Sequence, residues 1–195
     1  MSEMVRNPDI LKEAQIEIDT VVGRDRLVCE ADLNNLPLLN ALIKESLRLH
    51  PSVPLSVPHL SKEACEINGY RIPKDAMLLP NLWAIARDPE VWPNPLEFNP
   101  ARFLPGGSHE HVDVKGNDFG ILPFSAGRRI CVGMTMGLKM VQLITATLIQ
   151  GFDWALPDGR MGQKLDMEEA AGLTLERAVP LVVHPIPRLA QDVYM

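Results

Sequence analysis

Apolar positions recur at helical spacing in the first fifty residues. Leu11, Ala14, Ile18, Val21 and Val22 share one face, which predicts an amphipathic helix from about Pro8 to Val22. Asn7-Pro8 reads as its N-cap and first helical position, and Gly23 as its stop. Asp32 to Pro37 forms a turn into a second helix, Leu38 to Leu49, which Pro51 ends. The pattern then breaks. Pro51, Pro54 and Pro58 make a stiff, extended stretch. Glu66 to Ile72 is a hairpin pattern with Asn68-Gly69 at its turn, and Met77 to Leu79 a further short strand. Leu82 to Arg87 fits a short helix.

From Val91 to Gly120 the chain is irregular and rich in Pro, Gly and Asn. A loop that long inside a compact domain is usually functional. Val132 to Gln150 is apolar on nearly every face, which predicts a helix buried all round, with Met134, Met136 and Met140 in the core. Lys139 and Gln142 at its middle argue against a membrane span. Two strands, Leu173 to Leu175 and Val179 to His184, are expected in the tail. The fold class expected is mainly α with small β-hairpins.

Composition narrows the function. The 195 residues suffice for one domain and show no internal repeat. A net charge of −6 and 5% aromatic residues disfavour a nucleic-acid surface, which needs basic patches and stacking platforms. Cys29, Cys65 and Cys131 are far apart, without zinc or disulfide spacing, which fits a reducing compartment. The opening residues hold no apolar run of the signal-peptide kind.

The chemistry concentrates in Phe124-Ser125-Ala126-Gly127-Arg128-Arg129-Ile130-Cys131-Val132-Gly133. A cysteine just before a long helix lies where negative charge is stabilised, and two arginines reinforce that field. Gly127 and Gly133 let the backbone bend closely around a neighbour. Cys131 is then a metal ligand, a nucleophile or a buried structural thiol, and the spacing alone leaves these open. Glu45 and Arg48 share a helix face among Leu42, Ile43, Leu47 and Leu49. A buried pair of this kind wants a further partner, and Arg102, between Phe98 and Phe103, is placed to supply it. His109-Glu110-His111 fits a solvated loop better than a metal site.

These segments together resemble the cytochrome P450 superfamily. Phe124-x-x-Gly127-x-Arg129-x-Cys131-x-Gly133 is similar to its haem-binding loop, Glu45-x-x-Arg48 to its helical Glu-x-x-Arg, and Pro100-Ala101-Arg102-Phe103 to its Pro-Glu-Arg-Phe segment. The resemblance implies that Glu45, Arg48 and Arg102 form a triad bracing the loop, and that Cys131 is the thiolate ligand of haem b. It implies that Arg129, His59 and Trp83 lie near the haem propionates, and that Phe124, Gly127 and Gly133 shape the sulfur side. Val112 to Phe119 and Gly172 to Ala178 resemble plant flavonoid 3′-monooxygenases. The implied reaction is oxygen insertion into a flavonoid B-ring, with electrons from NADPH through a cytochrome P450 reductase. Val53, Leu55, Thr174 and Leu175 would touch substrate. Arg128 is either a reductase-docking charge or plain surface.

Departures from the pattern are Ser125, where plant members commonly have glycine, Ala101, in the place of a glutamate, and His59, in the place of a propionate-binding arginine. Nothing in the sequence matches the membrane anchor, the distal substrate loops or the threonine-bearing central helix of the family. Residues 1–195 are therefore expected to be a single partial domain, the C-terminal haem-binding portion of the fold. Full-length members sit on the endoplasmic reticulum membrane; without an anchor this chain is expected to be cytoplasmic or membrane-peripheral, with little activity alone. The alternative reading is a non-catalytic, truncated haem-binding or inert domain.

Overall fold

The computed structural model describes residues 1–157, 162, 165–170, 172 and 174–195. A short helix α1 (Ser2–Arg6) leads into α2 (Pro8–Val21), and α3 spans Pro37–Leu49. Both longer helices begin with proline at the first turn, where a missing N–H costs nothing. The start of α3 is capped from a distance: the Glu17 carboxylate accepts from the Leu38 and Leu39 N–H groups at 2.7 and 2.9 Å. Leu11, Ala14 and Ile18 of α2 are buried as their spacing predicts, whereas Val21 is exposed. Asp32 to Asn35, expected as a turn, lie in a 3₁₀ helix, Glu30–Asn35.

Helix α4 (Leu82–Ile85) is a single turn capped by the Asn81 side chain. Helix α5 (Met134–Gly151) is the longest. One core cluster gathers Leu11, Ala14 and Ile18 with Leu33, Leu36, Leu39 and Leu42, and with Ala146 and Ile149 from the end of α5. Gln150 closes it. Its Oε1 accepts from Val28 N–H at 2.8 Å, and its Nε2 donates to the carbonyls of Gly23 and Arg26, each at 3.0 Å. A second cluster joins Ala41, Trp92, Phe103, Val114 and Ile121, with Leu47, Phe124 and Leu138 packed against it. Trp92 is its largest member. Its indole donates to Gly120 O at 3.1 Å, and His109 stacks on its ring at 4.2 Å.

All strands among the described residues are short and antiparallel, in four separate pairs. β1 (His59–Leu60) pairs with β4 (Met77–Leu78), and β2 (Cys65–Ile67) with β3 (Tyr70–Ile72). Asn68 and Gly69 turn the latter hairpin with φ of 49° and 82°, the primed-turn geometry that suits strand twist. β5 (Phe152–Ala155) pairs with β8 (His184–Pro187), and β6 (Glu169–Ala170) with β7 (Glu176–Arg177). The tail strands thus lie later than the sequence pattern places them. Thr174 is a bend, Leu175 precedes β7, and Leu173 lies outside the described residues. Val179 to Val183 form no strand; only His184 belongs to one.

The largest departure concerns α5. Its burial is confined to Ala146, Ile149, Gln150 and Gly151. Met136, Met140, Val141 and Ile144 are exposed, and Val132 ahead of the helix is fully so. Met136, Met140 and Ile144 are four apart and form one stripe, while Leu138, Leu143 and Ala146 face the two cores. An all-round apolar sequence does not distinguish a face covered by this chain from a face left to another partner. Among the described residues no helix is long and apolar enough to cross a membrane.

Candidate functional site

The loop from Phe124 to Gly133 is held by its own backbone. Cys131 N–H donates to Phe124 O at 2.9 Å, and Gly127 to Arg129 form one 3₁₀ turn. Gly127 has φ of 68°, a left-handed value that glycine adopts freely. Ser125, at φ 63°, sits in the same region with a side chain. Backbone strain of about 1 kcal/mol follows. Ser125→Gly is therefore expected to raise stability by about 0.5–1 kcal/mol, read as a higher urea midpoint with an unchanged slope. The loop is tied to the Val112–Phe119 stretch at Gly116, where an added Cβ would lie 2.8 Å from Ile130 Cδ1 and 3.0 Å from Ser125 O.

Phe124 is half-buried against the Trp92 cluster, which anchors the loop to the core. Arg128, Arg129 and Cys131 are exposed, and the thiol is free. The thiol stands just before α5, next in sequence to the exposed Val132.

A buried charge cluster adjoins the Trp92 core against which Phe124 packs. Glu45 and Arg48 are fully buried and Arg102 nearly so. The Glu45 carboxylate accepts from Arg48 Nε and Nη2 at 2.7 and 2.8 Å, and from Arg102 Nε at 3.3 Å. It also accepts from the Asn99 backbone N–H at 2.9 Å. Arg48 spends its other donors on carbonyls: Ala86 at 2.8 Å, Pro95 at 2.7 Å and Glu97 at 3.1 Å. Arg102 reaches the carbonyls of Pro93 and Asn94. One carboxylate and two guanidinium groups thereby gather the irregular 86–99 segment onto α3. Arg48 also lies 5.2 Å from the Trp92 ring, so the charge cluster and the second core share a wall.

A third assembly forms around the segment after α3. Leu175 N–H donates to Ser52 O at 2.8 Å, and Trp83 N–H to Pro54 O at 3.1 Å. Val53, Leu55, Thr174 and Leu175 are thus carried by two strips of chain tied to each other. Trp83 directs its indole N–H to Glu169 Oε2 at 3.3 Å, with the Arg87 guanidinium 4.1 Å over its ring. Burial lowers the Arg87 pKa, and the nearby Glu169 charge opposes that shift. His59 is half-buried in β1. Among the described residues no hydrogen bond or ion pair joins Cys131 or Arg129 to His59 or Trp83.

Sequence reasoning missed His50 and Glu169. His50 Nε2 lies 2.9 Å from Glu3 Oε1, and Nδ1 lies 3.1 Å from Glu169 Oε1. The one available signal was a histidine immediately after a helix and before proline; nothing in the sequence pairs it with residue 169. Lys44 was also overlooked: it donates to Val112 O at 2.8 Å, and burial pushes its pKa down.

A flavonoid 3′-monooxygenase of Crocosmia x crocosmiiflora is 62% identical over 194 residues, covering 100% of this chain and 38% of that protein. A flavonoid 3′-monooxygenase of Arabidopsis thaliana is 61% identical, again with 100% and 38% covered. A flavonoid 3′,5′-hydroxylase of Crocosmia x crocosmiiflora is 56% identical. The chain spans less than two fifths of the length of these curated relatives. Among solved structures, a zebrafish cytochrome P450 with progesterone superposes with a TM-score of 0.81 at 30% identity, covering 96% of this chain and 40% of that one. The family model described as Cytochrome P450 matches residues 1–181, and the chain belongs to that family.

Proposed function

We propose that this chain carries the haem-thiolate part of a P450 monooxygenase acting on flavonoids, with Cys131 as the iron ligand. The observation that carries the reading is a free, exposed thiol just before α5, followed by the exposed apolar side chains of Val132, Met136 and Met140. The family implies a haem, and these residues fit one: a soft sulfur donor beside a face that an apolar macrocycle would cover. A bound haem supplies oxygen activation, which a thiolate ligand favours by donating electron density.

The chain's own residues do the rest. Cys131 presents sulfur. Gly127 and Gly133 leave room beside it, and Phe124 anchors the loop and shields the sulfur side. Arg129 would neutralise a propionate, and His59, shorter than arginine, would serve the other. Trp83 belongs to the same edge, although Glu169 already holds its indole N–H. Glu45, Arg48 and Arg102 brace the loop from behind. Val53, Leu55, Thr174 and Leu175 form part of the flavonoid wall.

The relatives' names support 3′-hydroxylation as the reaction. The electrons come from NADPH through a cytochrome P450 reductase, and the site of action is the endoplasmic reticulum membrane. Residues 1–195 act as one partial domain of that enzyme.

The test is the reduced, carbon-monoxide difference spectrum of the expressed chain supplied with haem. A red-shifted, thiolate-type Soret band is expected. A folded chain with no such band overturns the assignment of Cys131. A band without flavonoid hydroxylation, with reductase present, leaves the haem assignment and removes the monooxygenase reading for this chain.

A further inference from the structure

Glu169 begins the β6–β7 hairpin, whose connecting turn carries Thr174 and Leu175. Its carboxylate draws three donors from two other parts of the fold. His50 Nδ1, at the end of α3, lies 3.1 Å from Oε1; Trp83 Nε1 lies 3.3 Å from Oε2; Arg87 Nη2 lies 3.8 Å from Oε1. The other His50 nitrogen faces the Glu3 carboxylate of α1 at 2.9 Å, and Glu3 is almost fully buried. Both neighbours of this imidazole are therefore acceptors. A neutral imidazole has one N–H and can satisfy only one of them, whereas the imidazolium satisfies both.

The groups around His50 are mixed in sign. Glu3 is approached by Arg6 at 3.6 Å, and Glu169 by Arg87. Glu176 and Arg177 of β7 line the same cleft, of about 340 Å³, with Arg177 bonded to Ser2 Oγ at 3.4 Å. Without the His50 ring, Glu3 keeps Arg6 and the Asn7 amide as partners, the latter at 3.5 Å from its Oε2. Glu169 keeps Trp83 and the longer Arg87 contact, and the direct bond between the end of α3 and the hairpin is lost.

The geometry points to His50 as a positioning residue: its ring, bonded to Glu169 on one side and to Glu3 on the other, clamps the β6–β7 hairpin onto the end of α3 and steadies Thr174 and Leu175. Where that turn faces flavonoid, which rests on the function proposed above, the clamp sets how firmly the substrate wall is held. The Leu175 N–H bonded to Ser52 O is its natural reporter.

Hydrogen exchange at the Leu175 amide in the full chain, corrected for intrinsic rate, reads the clamp directly. His50→Ala and Glu169→Ala are each expected to lower its protection about tenfold relative to the unsubstituted chain, with the most protected core amides unchanged. Protection at Leu175 equal to that of the unsubstituted chain in either variant overturns the proposal. Should His50→Ala not fold, Glu169→Ala still decides. The readout needs neither haem nor flavonoid, so its failure and the failure of the monooxygenase reading are separately visible.

Discussion

Glu45→Ala is expected to lose about 3–5 kcal/mol of stability, the cost of leaving buried charges without their counter-charge. The Glu45 carboxylate is the common acceptor for Arg48, Arg102 and the Asn99 N–H. Its removal leaves two buried guanidinium groups facing each other across a cavity, with carbonyl oxygens and, for Arg102, the longer 4.0 Å contact to the Glu97 carboxylate to satisfy them. Domains of this size are stable by about 5–15 kcal/mol in all, so a large share of the margin disappears. Urea unfolding followed by circular dichroism would show the midpoint drop. Glu45→Gln keeps the shape and one acceptor but not the charge, so it should fall between alanine and the unsubstituted chain. An alanine variant within about 1 kcal/mol of the unsubstituted chain would mean that the cluster is hydrated and contributes like a surface pair.

The opposite profile is expected for Cys131→Ala. The thiol is exposed and the core clusters do not include it, so the substitution should leave the unfolding free energy from urea titration within about 0.5 kcal/mol. The thiolate-type carbon-monoxide band should vanish altogether. On the proposed assignment fold and chemistry are carried by different residues: Phe124 and Gly116 hold the loop against its neighbours, and the ligand is one side chain that the fold does not need. A band that survives Cys131→Ala would assign the sulfur elsewhere, to Cys29 or Cys65.

The helical part of the fold was legible because its periodicity is local. Pro8 and Pro37 mark the helix starts, and Leu11, Ala14 and Ile18 mark the inward face. The Glu45, Arg48 and Arg102 grouping could be anticipated because charges among leucines and phenylalanines must find partners. What was not legible is relational. Leu173 to Leu175 and Val179 to His184 are β-rich in composition, yet strand pairing depends on which distant segment arrives alongside, and the pairs formed at Glu176–Arg177 and His184–Pro187 instead. The exposure of Met136 and Met140 depends on what covers α5, which its own residues do not encode. His50 and Glu169 are joined by the fold across 119 positions of sequence, and no local pattern reports that.

The ties of Gln150 have a consequence for how the chain is made. Val28 and Gly23 receive their partners from a residue 122 to 127 positions later, and Gln15 from Asp153, 138 positions on. The inner faces of α2 and α3 are closed only when the end of α5 arrives. Until the end of α5 is made, these groups therefore wait for their partners, which invites chaperone holding and proteolysis of the nascent chain. Closing so long a loop late also makes folding slow for a mainly helical protein.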